Sequence, residues 1–133
     1  MSATNEQLPI ATSGDVVLVR HAVRLAAEGA GLRHLDITRL VTAASEIARN
    51  TLIYGGGGTA AVERLDAGYR AGVRVSFEDR GPGIADLQLA MRDGYSSGKG
   101  MGLGLSGSKK LVDEFVVDSE VGRGTRVTMI KWR

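Results

Sequence analysis

The stretch Asp79-Arg-Gly-Pro-Gly83 stands where a strand pattern ends, and it limits how the rest of the chain can be interpreted. Before it, Val73, Val75 and Phe77 alternate with polar residues, which is typical of a half-buried strand. A carboxylate therefore closes a strand, and two glycines follow that allow the backbone to turn sharply or to approach a bound group closely. Taken alone, Asp79 is equally compatible with an aspartate in a solvated turn.

Glu46 and Asn50 lie upstream, on a predicted helix that begins after Asp36 as N-cap, runs to about Tyr54 and ends in a run of four glycines. Because Asn50 follows Glu46 by four positions, both side chains lie on one face of that helix, one turn apart. They flank its apolar stripe, where a carboxylate and an amide are costly unless something uses them. An ordinary surface glutamate is the alternative interpretation of Glu46.

A second glycine-rich run, Gly98-Lys-Gly-Met-Gly-Leu-Gly-Leu105, follows in the last third of the chain. Part of it, Gly102-Leu-Gly104-Leu-Ser-Gly107, has the spacing of a dinucleotide-binding fingerprint, but residues 91–101 do not form the strand that this motif requires. The stretch from Gly94 to Lys99 resembles a P-loop, but it is one residue short and Gly100 replaces the required serine or threonine. Both motifs are therefore rejected.

The remaining patterns alternate helices with strands, and no internal repeat is present. They predict the following elements: a short strand at 8–12, a helix at 16–27 with N-cap residues at Ser13 to Asp15, a strand at 59–65 that pairs with the strand ending at Asp79, a short helix at 86–92, a loop at 93–102, a helix at 103–115, and strands at 115–119 and 125–131. This order favours an α+β fold, a two-layer α/β sandwich in which helices cover one face of a mixed, mainly antiparallel sheet. We expect residues 1–133 to form a single domain.

Composition excludes several classes of protein. The 133 residues contain no cysteine, so disulfides and thiolate metal sites are impossible. The net charge is +2 and the basic residues are scattered, which does not indicate a nucleic-acid surface. No apolar run is long enough to cross a membrane, and the polar start from Met1 to Pro9 has no signal-peptide core, so we expect a cytoplasmic protein.

In combination, these motifs resemble the Bergerat-fold (GHKL) ATPase superfamily and, within it, the small anti-sigma-factor serine/threonine kinases that include the stressosome switch kinases. The resemblance covers nearly the whole chain. It rests on the following segments in this order: Gly14-Asp-Val16, Ser45-Glu-Ile-Ala-Arg-Asn50, Glu78-Asp-Arg-Gly-Pro-Gly-Ile84, Leu111-Val-Asp-Glu-Phe115 and Ile130-Lys-Trp132.

The resemblance implies an adenine-binding role for the end of the strand. Asp79 would accept a hydrogen bond from the exocyclic amine of adenine, whereas guanine presents a carbonyl oxygen that a carboxylate repels. Gly81 and Gly83 would let the backbone lie against the base without Cβ clashes, and Ile84 after them would also belong to the nucleotide-binding set. Thr125 matches a family threonine whose hydroxyl helps to bind adenine, although an ordinary strand threonine is the alternative.

The resemblance also implies roles in catalysis. Asn50 matches the family residue whose amide oxygen binds the Mg²⁺ that bridges the phosphates of ATP, and a neutral oxygen suits such a hard cation. Glu46 matches the catalytic glutamate, which polarises the attacking hydroxyl; general-base help of this kind is worth about 10²–10⁴-fold. The following residues would contact the phosphates or form the lid: Lys99, Gly100, Gly102, Leu103 and Gly104. For Lys99, an ordinary mobile loop lysine is the alternative.

The expected activity is that of an ATP-dependent serine/threonine protein kinase in a bacterial stress-response pathway. The resemblance implies a STAS-domain antagonist or scaffold protein of the stressosome as substrate, and a PP2C-type phosphatase or another output that the released kinase activates. Two alternatives remain open: a nucleotide-dependent anti-sigma factor or non-catalytic binding switch, and, ranked last, a bare ATPase.

Overall fold

A five-stranded sheet organises the chain. The computed structural model describes residues 5–85, 90–91 and 104–133. The strands lie in the order β1-β2-β3-β5-β4, and all four pairings are antiparallel. Their bounds are as follows: β1 Asn5–Ile10, β2 Gly58–Asp66, β3 Ala71–Asp79, β4 Glu114–Glu120 and β5 Gly124–Trp132.

The alternation of side chains gives the sheet one apolar side. In β3, Val73, Val75 and Phe77 are at most 1% exposed, whereas the residues between them are more accessible. The register pairs Val75 with Met129 of β5 and with Val62 of β2, so buried residues of neighbouring strands share this side. Two helices cover it.

The first helix, α1, spans Ser13–Gly29 and carries a capping box. The Thr12 hydroxyl accepts a hydrogen bond from the backbone N–H of Asp15, and the Asp15 carboxylate accepts hydrogen bonds from the N–H groups of Ala11 and Thr12. The predicted N-cap residues, Ser13 to Asp15, are thus displaced by one position. Thr12 is the cap because its extended backbone places its hydroxyl over the first turn.

The second helix, α2, spans His34–Ile53. It begins earlier than predicted: its N-cap is Arg33, which makes no side-chain capping bond, and Asp36 lies inside the first turn, where its carboxylate pairs with Arg39. Leu40 and Ile47 are at most 1% exposed, and α2 packs against α1 and the sheet. Each fully buried side chain of this size stabilises the fold by about 1.5–3 kcal/mol.

The predicted two-layer sandwich with helices on one face is therefore confirmed. Among the strands of the described ranges, every pairing is antiparallel, so the parallel pairs that a mixed sheet would allow are absent there. Among the described residues, no helix has both the length and the apolar character needed to span a bilayer.

The third described helix, α3, spans Leu105–Leu111 and is shorter than predicted. The prediction that helical structure continues to Phe115 is wrong, because Val112 is already extended and β4 begins at Glu114. The N–H of Asp113 donates to the carbonyl of Ile130, and its carboxylate accepts the N–H of Trp132 at 2.7 Å. These bonds to β5 draw the chain into the sheet, so pairing with a distant strand overrides the local helical spacing. The predicted helix at 86–92, except Ala90 and Met91, and the predicted loop at 93–102 lie outside the described residues.

Candidate functional site

The site is built at the end of β3. Asp79 is the last residue of this strand, and the register pairs it directly with Thr125 of β5. Both side chains share the helix-facing side with Phe77 and Val127, because strand residues two apart point the same way. Asp79 and Thr125, for which the resemblance implies contacts with the same base, are therefore neighbours in the structure.

The glycine-rich turn folds back onto the Asp79 carboxylate. The N–H of Gly81 donates to Oδ1 of Asp79 at 2.8 Å, which closes the turn. Gly83 has a φ of 78°, and a Cβ there would lie 2.8 Å from the carbonyl carbon of Glu120. A side chain at Gly83 would therefore be strained and would collide with the neighbouring hairpin.

The end of α2 packs against the same carboxylate. Gly55 follows this helix, and a Cβ on it would lie 2.6 Å from Oδ2 of Asp79. A Cβ on Gly81 would lie 2.7 Å from the Cα of Gly55, so these two backbone segments and the carboxylate are in close contact. Sequence reasoning treated Gly55 only as part of a helix stop, and a pattern of glycines does not reveal which distant residue the backbone touches.

Asn50 lies in the last turn of α2. Its backbone carbonyl accepts the N–H groups of Tyr54 and Gly55, at 2.9 and 3.2 Å. Its side chain is half-buried and faces the same cavity as Asp79.

Glu46 is half-buried one helical turn earlier, against the start of α3. Gly104 has a φ of 67°, and a Cβ there would lie 2.7 Å from both the carboxyl carbon and Oε2 of Glu46. The carboxylate of Glu46 thus contacts backbone at the position where the second glycine-rich run enters its helix.

These elements enclose a cavity of about 320 Å³ between α2, α3 and the sheet. A volume of this order suits a small organic ligand. Its walls are largely apolar side chains: Ile47, Phe77, Pro82, Ile84, Leu105 and Val127. Its polar side chains are Asn50, Thr51, Tyr54, Asp79 and Thr125, and backbone is supplied by Gly55, Gly83 and Ala85.

The chemistry of this cavity suits a flat apolar ring that carries a hydrogen-bond donor at its edge, with Asp79 as the acceptor. Of the residues predicted to bind a cofactor, Asn50, Asp79, Gly83, Ile84 and Thr125 line the cavity, and Gly81 bonds to Asp79. Glu46 and Gly104 contact each other nearby. Four other predicted phosphate-loop residues lie outside the described part of the chain: Lys99, Gly100, Gly102 and Leu103.

Sequence reasoning missed several residues of this site. Leu105 is 3% exposed and forms part of the wall, yet the sequence interpretation placed it only at the end of the second glycine-rich run and in the helix that follows. Thr51 is buried, and its hydroxyl donates to the carbonyl of Ile47 one turn earlier. Its position one turn after the apolar Ile47 is the only signal in the sequence that could have indicated its burial. Ser119 hydrogen-bonds to two cavity residues from outside the cavity, and no motif marks it.

The comparison with protein families identifies the class. The chain belongs to the family of histidine kinase-, DNA gyrase B- and HSP90-like ATPases, which matches residues 35–133. The matched region contains α2 except its first residue, every strand from β2 to β5 and all the residues that line the cavity.

Individual relatives indicate a more specific class of protein within this family. The chain is 41% identical over 123 residues to the serine/threonine-protein kinase RsbT of Bacillus subtilis, covering 92% of each chain. It is 31% identical over 101 residues to the anti-sigma F factor of Clostridium novyi, covering 72% of this chain and 71% of that protein. The predicted class of enzyme, an ATP-dependent serine/threonine protein kinase, is thereby confirmed.

A solved structure has the same fold. The crystal structure of the RsbU and RsbW domains of Rv1364c from Mycobacterium tuberculosis superposes with a TM-score of 0.67 at 26% identity. All of this chain is covered, and it spans 33% of that longer chain.

Proposed function

We propose that the cavity beside Asp79 binds the adenine of ATP, and that the chain, acting as one domain in the cytoplasm, transfers the γ-phosphoryl group to a serine or threonine of a partner protein. The observation that carries this proposal is the convergence of Asp79 and Thr125, paired across two strands, with Asn50 of α2 on one cavity. The apolar walls suit the faces of the base, and the Asp79 carboxylate suits the amino group at its edge.

Asn50 is the proposed protein ligand of Mg²⁺. Its amide oxygen would share the cation with phosphate oxygens, which is how proteins usually bind Mg²⁺. When bound, the cation supplies positive charge that offsets the charge of the phosphates. The position of Asn50 supports this role, because its side chain faces the cavity from the end of α2.

Glu46 is the proposed base. It lies one helical turn from Asn50, and its carboxylate contacts the start of α3. In this proposal the acceptor hydroxyl oxygen attacks the γ-phosphorus, the bond from that phosphorus to the bridging oxygen of ADP breaks, and the hydroxyl proton passes to Glu46. Positioning and electrostatics then contribute most of the rate. The run from Lys99 to Gly104 is proposed to hold the phosphates.

The proposed substrate is a small STAS-domain antagonist or scaffold protein of a stressosome. The similarity to RsbT supports a stress-response switch, in which the released kinase activates a PP2C-type phosphatase or another output. A second candidate, a nucleotide-dependent anti-sigma factor that works by association alone, is favoured only by the similarity to anti-sigma F factors.

The decisive experiment measures transfer of labelled phosphate from ATP to a purified STAS-domain partner, alongside binding of that partner. Glu46→Gln should lower the transfer rate by about 10²-fold or more while ATP binding changes little, because it removes the base and keeps the size of the side chain. Glu28→Gln is the matched control: Glu28 is an exposed acid on α1 and its loss should leave transfer unchanged.

Asn50→Ala separates the two candidates. For a kinase, it should abolish magnesium-dependent transfer and spare association with the partner. Transfer that persists in Asn50→Ala with magnesium present would overturn the metal assignment. A wild-type protein that binds its partner in a nucleotide-dependent manner, yet transfers no phosphate to it, would instead support the binding switch.

A further inference from the structure

Ser119 lies on β4 outside the cavity, but it is bonded to two residues that line it. Its Oγ is 2.8 Å from the backbone N of Ile84 and 2.8 Å from Oγ1 of Thr125. It also lies 3.1 Å from the backbone carbonyl oxygen of Gly124. One half-buried hydroxyl thus connects the glycine-rich turn, the hairpin and the threonine beside Asp79.

The chemistry of these partners decides where the protons lie. A serine hydroxyl has one hydrogen to donate and two lone pairs to accept with. The N–H of Ile84 can only donate, and the carbonyl of Gly124 can only accept. When Ser119 donates to Gly124, its second lone pair is available only for the hydroxyl hydrogen of Thr125. This arrangement satisfies all three contacts, whereas donation from Ser119 to Thr125 forfeits the bond to Gly124.

In this arrangement the hydroxyl hydrogen of Thr125 points at Ser119, and only its oxygen lone pairs remain for the cavity. Asp79, its cross-strand partner, is likewise an acceptor when ionised. The two polar groups on this wall then both require a donor.

We propose that Ser119 is a positioning residue that determines the base specificity of the site. By accepting the hydroxyl hydrogen of Thr125, it leaves Asp79 and Thr125 with only hydrogen-bond acceptors facing the cavity. The site therefore takes a purine with an amino group at this position and rejects a purine with a carbonyl oxygen there. This inference rests on the proposed function, which places the base in this cavity. A site built from buried hydrogen-bonding groups discriminates strongly between ligands that satisfy them and ligands that do not.

The turn itself does not depend on Ser119 alone. The N–H of Gly122 donates to the carbonyl of Pro82 at 3.0 Å, and Gly83 packs against the backbone of Glu120. These contacts hold the glycine-rich turn to the β4–β5 hairpin without the hydroxyl. We therefore expect Ser119→Ala to fold, with the main effect falling on the orientation of the Thr125 hydroxyl.

The test compares ATP with ITP, whose base carries a carbonyl oxygen where adenine carries the amino group. Dissociation constants for both are measured by calorimetry in wild type, Ser119→Ala, Ser119→Thr, Thr125→Val and the Ser119→Ala/Thr125→Val double variant. Wild type should prefer ATP. In Ser119→Ala this preference should fall by about tenfold, the effect of one hydrogen bond, because the freed Thr125 hydroxyl can donate to the carbonyl. Ser119→Thr retains the hydroxyl and should retain the preference.

The double variant shows whether Ser119 acts through Thr125. With valine at position 125, removal of the Ser119 hydroxyl should leave the ratio of the two constants unchanged. If Ser119→Ala weakens ATP and ITP by the same factor, Ser119 only supports the turn and the proposal is wrong. A loss of preference that persists in the Thr125→Val background also overturns it. A wild-type protein that binds neither nucleotide would overturn the proposed function itself, whereas an ATP preference that survives in Ser119→Ala overturns this inference alone.

Discussion

Replacing Asp79 by asparagine changes the proposed adenine contact with little change of shape. Oδ1 of Asp79 accepts the N–H of Gly81 at 2.8 Å, and an asparagine can keep that bond with its own carbonyl oxygen. The amide NH₂ then takes the place of Oδ2, the oxygen that packs beside Gly55. A donor would stand where the amino group of adenine needs an acceptor.

The magnitude follows from this exchange. A hydrogen bond to a charged group is worth about 1.5–3 kcal/mol, and the carboxylate of Asp79 would make one with the base. Each 1.4 kcal/mol is a factor of ten in affinity, so the dissociation constant for ADP should rise by roughly 10- to 150-fold in Asp79→Asn.

Calorimetric titration with ADP and magnesium measures this change, and thermal unfolding without nucleotide checks that the variant is folded. Glu78→Gln is the matched control, because it removes one negative charge from the preceding residue, which is exposed on the opposite side of the sheet. This control should bind ADP within about twofold of wild type, since exposed charges interact weakly through water. Asp79→Asn binding as tightly as wild type would refute the base contact, and equal weakening in both variants would indicate a general charge effect instead.

Further predictions concern packing and pH. Gly55→Ala should weaken ADP binding by about tenfold, because the added methyl group displaces the carboxylate of Asp79, and calorimetry would show no change if that contact were absent. Gly107→Ala adds a methyl group in open space within α3 and should raise the free energy of unfolding by about 0.5–1 kcal/mol in a urea titration, while an unchanged midpoint would contradict the helix assignment. The backbone N–H of Ala11, more than that of Thr12, holds the pKa of Asp15 below its ordinary value of 3.8. Because the folded-state pKa of Asp15 is lowered, its contribution to stability is present above pH 3.8 and is lost as the pH falls through the folded-state pKa. Urea titrations at about pH 6 and pH 3 should therefore show a smaller loss of unfolding free energy between the two pH values in Asp15→Ala than in wild type. Equal losses in the two proteins would contradict this cause.

Much of the fold could be predicted because its signals are local. The helical spacing in α1 and α2 and the alternation in β3 each depend on which face a residue presents to the core, and that periodicity is present in the sequence. The end of α3 could not be predicted in this way. Its helical spacing continues through Phe115, and only the bonds from Asp113 to β5 show why the helix stops at Leu111.

The candidate site, like the fold, could be predicted only where its signals are local. The glycine-rich turn after a strand pattern drew attention to Asp79 and Gly83, because clustered glycines mark backbone that turns sharply or approaches a ligand, and the family resemblance added Thr125. The contact of Gly55 with Asp79, and the bond from Ile84 to Ser119 across 35 positions, depend on how distant segments meet in the fold. No local pattern encodes such contacts.

The proposed function requires an adenine nucleotide to occupy the cavity beside Asp79. The most direct test is a titration of the ¹⁵N-labelled chain with ADP and magnesium, followed by NMR of assigned backbone amides. We expect the largest shifts on the amides of Gly55, Gly81 and Ile84, while the amides of Ser76 and Thr128, which are paired on the other side of the sheet, stay near their starting positions. Saturable shifts that cluster around Ser76 and Thr128, with the amides around Asp79 unmoved, would contradict it.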